Sequence, residues 1–196
     1  MKYLKKIIII LFLCVLLSLL FSACNNNSDN GREPYFPESG AYKIMLKPDE
    51  WAVVANEQNA DRLIVLNQNA GVVITVDGYE KSDLSGLSVS DIDSFIKFYK
   101  TFESVKGAYE NENNTVDELK SIDEKDLKNA QLKSGKRQIV YVKSSEDTAG
   151  QDLVTEYIYV ETEGHFFAIS YGVFKVYFTE EVQNAVNDLA YHIRTE

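Results

Sequence analysis

The chain has 196 residues, 45% of them hydrophobic and 26% charged, an ordinary globular balance with room for one domain and a further segment. Thirty acidic residues against 20 basic ones give a formal net charge of −10. That excess argues against nucleic acid and against electrostatic adhesion to anionic lipid, because both require a basic face.

The first predicted element is a leader. Lys2, Lys5 and Lys6 make a basic start, and residues 7–21 (IIIILFLCVLLSLLF) carry no charge, glycine or proline. The run is shorter than the roughly 20 residues that span a bilayer. It suits the apolar core of an export signal over residues 1–23. Ser22 and Ala23 then lead into Cys24. This resembles the lipobox of bacterial lipoproteins, with Phe21 where that motif usually has Leu, Val or Ile. The resemblance implies a diacylglycerol on the Cys24 sulfur, cleavage before Cys24 and acylation of the freed amine. The alternative is an uncleaved N-terminal anchor with a chance cysteine. Two or three acyl chains make a stable anchor, since each buried methylene contributes about 0.8 kcal/mol. Losing the leader removes Cys14 and three basic residues. The mature chain then has no free thiol, disulfide or thiolate ligand, and 17 basic against 30 acidic residues give −13.

Residues 24–40 form the next segment. The sequence NNNSDNGREPYFPESG is rich in Asn, Ser, Gly and Pro and reads as a flexible tether, since it buries too little apolar surface to offset its ordering entropy. Tyr35 and Phe36, between two prolines, either belong to an ordered domain edge or dock on a partner. The folded domain is expected over residues 41–196. Strands are predicted at 42–46, 51–55, 62–66 and 72–76. The last two are joined by NQNAG and are so continuously apolar that cover on both faces is expected.

The period then changes. Val89, Ile92, Phe95, Ile96, Tyr99 and Phe102 recur at three- and four-residue spacing, which predicts an amphipathic helix over about 90–105 capped by Ser88 or Ser90. Asp91 and Asp93 suit the positive end of its dipole better than a metal site. Residues 107–128 are polar and acidic without calcium-loop spacing, and hold either a short helix at 116–122 or a solvated excursion. Strands return at 138–143, 154–161 and 166–171, with short links that favour antiparallel pairing. Thr179 caps a final amphipathic helix over 180–194, whose apolar stripe is Val182, Val186, Leu189, Ala190 and Ile193. Strands, helix, strands, helix predict an α+β fold, an antiparallel sheet of five to seven strands flanked by helices.

Several local sequences sharpen that expectation. KPDEW at 47–51, LSVSDIDSFIKFY at 87–99, LKSGKRQIVYV at 132–142 and VTEYIYVETEGHFFAISY at 154–171 resemble, in order, the early turn, the first helix, the glycine-marked strand start and the long hairpin of the PsbP/DcrB-like family. The resemblance covers about residues 41–194. It implies an α/β/α sandwich and a non-enzymatic member that binds a larger assembly or assists at the cell envelope, with no catalytic residue or cofactor to carry over.

Candidate chemistry is sparse. His165 lies in a strand beside two phenylalanines and His192 in the last helix, so a shared metal role is not expected. There is no Gly-x-Ser-x-Gly elbow and no phosphate-binding glycine loop. Carboxylates are too abundant for any pair of them to define a hydrolase. The remaining oddity is twelve tyrosines. Tyr141, Tyr157, Tyr159 and Tyr171 fall in the C-terminal strands. They line a binding surface if their sheet face is open, and are core if the last helix covers it. The expected role is a lipid-anchored, extracytoplasmic binding module for an envelope protein. The alternative is a small-ligand binder with a pocket between sheet and helices.

Overall fold

The structure, a computed structural model, describes residues 31–56, 61–143 and 152–195. The leader, Cys24 and the residues up to 30 lie outside it. One compact unit runs from Arg32 onward.

In chain order it contains β1 (Glu33–Tyr35), β2 (Lys43–Leu46), β3 (Trp51–Asn56), β4 (Arg62–Asn67) and β5 (Val72–Glu80). A short helix α1 (Lys81–Leu84), α2 (Ile92–Tyr99) and α3 (Glu103–Glu110) follow. Next come β6 (Thr115–Val116), β7 (Lys120–Ser121), α4 (Glu124–Ala130), β8 (Ser134–Val142), β9 (Leu153–Glu161) and β10 (His165–Phe174). A 3-10 turn (Lys175–Tyr177), α5 (Glu180–Tyr191) and β11 (Ile193–Arg194) close the unit.

The large sheet is wholly antiparallel, in the order β3-β4-β5-β10-β9-β8, with β6 and β7 both along the outer edge of β8. This is the α+β class expected, an antiparallel sheet flanked by helices. Its six long strands fall within the expected number, and two ribbons of two residues each bring it to eight. The strand expected at 42–46 is β2, but it belongs to a second sheet, β1-β2-β11, whose other strands of two and three residues carry almost no periodic signal in the sequence.

Two cores sandwich the large sheet. Alternation along β9 sends Glu156, Ile158 and Val160 to one face and Tyr157 and Tyr159 to the other, as the register with β8 and β10 requires. On the first face, Leu63, Val65, Ile74, Val76, Ile158 and Ile169 meet Val186 and Leu189 of α5 together with Tyr42, Ile44 and Leu46 of the small sheet. On the second face, Phe95, Ile96 and Tyr99 of α2 and Val105 of α3 pack on Tyr157, Tyr159, Phe166 and Ala168. Phe95 stacks on Phe166 with centroids 4.9 Å apart. Gly78 is what lets the small sheet approach β5: a Cβ there would lie 2.6 Å from Cε1 of Tyr42.

Several boundaries move. The folded unit begins at Arg32 rather than Ala41, because β1 pairs with β2, Pro37 is buried, and Arg32 donates to the Met45 carbonyl and to Asp188. The tether expected over 24–40 therefore ends early, and Tyr35 belongs to an ordered edge. The helix expected over 90–105 is two helices, with a break at 100–102 where Thr101 Oγ1 turns back to the Phe98 carbonyl at 2.7 Å. Its cap is Asp91, not Ser88 or Ser90. Asp91 accepts from the Ser94 amide at 2.8 Å, while Ser94 Oγ accepts from the Asp91 amide, a reciprocal capping box. Thr179 does cap α5, accepting from the Val182 amide. The acidic stretch 107–128 is neither a free excursion nor a helix at 116–122. It completes α3, adds β6 and β7 to the β8 edge and enters α4.

Candidate interaction surface

β4 and β5 do not have the two-sided cover that their apolar runs suggest. Leu63 and Val65 are buried under the small sheet and α5, but Ile64 and Leu66 are only half-buried and Val73 is 49% exposed. α2 and α3 pack over β8, β9 and β10, so the second face of the sheet is open towards β3.

β3 is the free edge of the large sheet. Among the described residues nothing pairs with its outer side, whereas the opposite edge, β8, carries β6 and β7. Antiparallel pairing engages alternate residues, so the outer side of β3 presents N–H and C=O groups that no strand among the described residues pairs. The sequence of that edge is WAVVAN, with no charge and no proline. The register with β4 shifts between Val53 and Ala55, so Val54 is an extra residue in a bulge. Val53 and Val54 are 43% and 55% exposed. Natural edges are usually blunted by Lys, Pro or inward charges. Apart from the bulge, this one has none of them. It is an apolar, uncharged template for an added strand.

The four tyrosines do not share an open face. Tyr157 and Tyr159 are buried under α2 and α3, where the Tyr159 and Tyr109 hydroxyls lie 3.1 Å apart. Tyr171 is buried on the opposite face, and its hydroxyl donates to Glu156 Oε2 at 2.5 Å. Tyr141 is half-buried on β8 at the β6 ribbon, where burial and the Asp117 carboxylate push its phenol above the ordinary value. Burial raises the phenols of Tyr157, Tyr159 and Tyr171 too. The correction has a simple cause: a strand alternates, so Tyr157 and Tyr159 face one layer of helices and Tyr171 the other.

The buried carboxylates are separate and each has a cation. Asp77 is bound by Arg62 Nε and accepts from the Tyr99 hydroxyl at 2.8 Å. Glu161 accepts from Lys81 Nζ at 2.8 Å and from Ser134 Oγ at 2.6 Å. Burial works to raise the Glu161 carboxyl, but those two bonds and the Lys81 and Lys133 charges outweigh it and hold it below its ordinary value. Glu156, fully buried, accepts from Arg137 Nε at 2.8 Å and Nη2 at 2.5 Å. Arg137 and Glu156 open into a cleft of about 230 Å³ between β8, the 117–120 segment and Gln183 of α5.

The histidines lie apart. His165 starts β10, its ring stacked on Phe167 and both ring nitrogens buried without a hydrogen-bond partner among the described residues. Burial lowers its proton affinity. His192 follows α5, with Nδ1 2.6 Å from the Asp188 carbonyl. Among the described residues no group of three or more His, Cys, Asp or Glu is placed to hold a metal ion.

At one end of the sheet, β10 leads into an apolar knuckle. Phe174 is exposed, and Val176 and Tyr177 are 74% and 63% exposed, with Lys175 among them. An open groove of about 550 Å³ runs beside it, lined by Gly71, Val173, Phe174 and Tyr177. Neither this run (FKVYF, residues 174–178) nor the β3 edge is singled out by sequence periodicity. The available signal is the absence of charge in WAVVAN and the crowding of aromatics after a strand end.

The chain matches no protein-family profile and no curated protein. Among solved structures, a protein from Bacteroides thetaiotaomicron aligns with a TM-score of 0.43 and 9% identity over 85% of this chain and 49% of its own. The chain thus spans about half of that neighbour's length.

Proposed function

We propose that this protein is a membrane-anchored, extracytoplasmic lipoprotein of the PsbP/DcrB-like type. It acts as a non-catalytic binding module that takes an extended segment of an envelope protein onto the β3 edge. The observation that carries the binding mode is the uncharged edge strand Trp51–Asn56, whose outer side has no strand partner among the described residues, leaving its backbone to select extended peptide, and whose exposed Val53 and Val54 supply apolar contacts. The membrane address rests on the Ser22-Ala23-Cys24 motif behind an apolar leader.

Two variants test it. Cys24→Ser abolishes lipid labelling and leaves precursor or released protein; lipid labelling that persists in Cys24→Ser overturns the address. Val54→Lys puts a charge on the free edge and is expected to remove a partner that co-purifies with the wild type from native membranes. Equal recovery with both chains overturns the binding mode.

A second reading, a small-ligand binder, draws on the cleft at Arg137 and Glu156, where Lys120 adds a second cation to the lining. At about 230 Å³ the cleft falls below the usual range for ligand pockets, roughly 300–1,000 Å³, and Asp117, Glu118 and Glu156 line it beside the two cations, so it suits only a very small polar ligand. Thermal stabilisation by small carboxylates that disappears in Lys120→Ala would favour this reading.

A further inference from the structure

The apolar knuckle and the start of the folded unit lie at the same end of the domain. Pairing of Glu33 with Leu46 sets Arg32 level with Lys47, at the turn that leads into β3. Arg32 is fixed there by its 2.6 Å bond to Asp188. A groove of about 270 Å³ lined by Lys47, Asn69, Ala70, Glu181 and Asp188 continues into the larger groove beside Phe174 and Tyr177, and the two share Ala70 and Glu181. The β4–β5 turn at 68–71 and the end of β10 therefore close the same end of the sheet from which the chain leaves towards Cys24.

Chain length then restricts what that end can face. Seven residues, and so eight Cα-to-Cα steps, separate Cys24 from Arg32. Fully extended they reach about 26–29 Å, less than the length of a small domain. With lipid on Cys24, the end that carries Arg32 is held within that distance of the bilayer surface.

The residues exposed at that end suit a lipid interface. Tyr177 and Phe174 are aromatic, Val176 is aliphatic, and Lys175 has a stem long enough to keep its ammonium in the headgroup layer. Exposed Glu180 and Glu181 follow immediately, and the chain is acidic overall. Contact there depends on apolar insertion and not on attraction to anionic headgroups. We infer that the Phe174–Tyr177 knuckle is a second membrane contact, which seats in the outer face of the lipid surface and holds the anchored domain so that β3 starts near that surface at Trp51 and runs away from it. This rests on the lipid-anchor reading above.

The test uses the full lipidated chain, purified from membranes and reconstituted in phosphatidylcholine vesicles. Lipidation occupies Cys24 and the leader takes Cys14, so a Val176→Cys substitution gives one free thiol for an environment-sensitive dye. Glu163→Cys, in the exposed turn between β9 and β10 at the far end, is the control. The expected result is a blue shift at position 176, with loss of emission when the vesicles contain brominated acyl chains, and neither change at 163. Flotation of the same samples separates the two readings. A chain that does not float overturns the anchor and this inference with it. A chain that floats with water-like emission at 176 overturns this inference alone. So does a blue shift that brominated lipid leaves unquenched, since a protein surface then covers the knuckle.

Discussion

Arg137→Met isolates the Glu156 carboxylate. In the native protein that group is fully buried and has three donors: Arg137 Nε, Arg137 Nη2 and the Tyr171 hydroxyl. The substitution keeps most of the aliphatic stem and removes the charge, leaving a buried anion with one neutral donor. Breaking a buried ion pair from one side costs about 3–5 kcal/mol. Arg137 lines an open cleft, so water replaces part of what is lost and about 2–3 kcal/mol is expected. With a urea slope near about 2 kcal/mol per molar, the unfolding midpoint should fall by about 1–1.5 M. The assay is urea unfolding by circular dichroism on the Cys24→Ser chain without its leader. Adding Glu156→Gln removes the stranded charge and should restore most of the loss, because a neutral pair has little to desolvate. A single variant within about 0.5 kcal/mol of the parent, or a double variant no better than the single, refutes the reasoning.

Other expected outcomes follow from the same packing. Gly78→Ala places a Cβ 2.6 Å from the Tyr42 ring, which is held in the core and hydrogen-bonded to the Asp61 and Val76 carbonyls. The predicted cost is about 1–3 kcal/mol by urea unfolding, as for other overpacked cores. Glu161 is held below its ordinary value of 4.5, so its contribution is complete above that pH and is lost as pH falls through the lower folded value. Glu161→Gln should be less stable at neutral pH and show a shallower acid limb below 4.5. His165 is held below its ordinary 6.5 by burial, so the unfolded chain takes up that proton first and stability falls as pH drops below 6.5. His165→Phe keeps the stack on Phe167 and should flatten stability across that range, read as midpoint against pH.

The long elements were legible because their burial follows their period. The α5 stripe of Val182, Val186 and Leu189, and the α2 set of Ile92, Phe95, Ile96 and Tyr99, are buried as their spacing requires. Thr179 is a cap in sequence and in structure. What escaped depends on distant parts of the chain. β1 and β11 are too short to carry a period, and they exist because they pair with β2, the strand expected at 42–46. The apolar runs of β4 and β5 suggested cover on both sides, but among the described residues no helix reaches the outer part of the second face, and only the arrangement of α2 and α3 decides that. The tyrosines were conspicuous by number. Their fate depended on which strand face each helix covers, and three of the four proved buried. The β3 edge is visible only once the sheet order is known, since position at an edge is a property of topology and not of residues 51–56 themselves.

The most direct test of strand addition at β3 is hydrogen exchange of peptides covering residues 51–56, compared between the chain in native membrane vesicles and the released Cys24→Ser chain. Strand addition predicts slower exchange in the vesicles, confined to this edge and absent from β8, because the outer amides of β3 then have partners. Equal exchange of residues 51–56 in both preparations, with the chain intact and anchored, would contradict it.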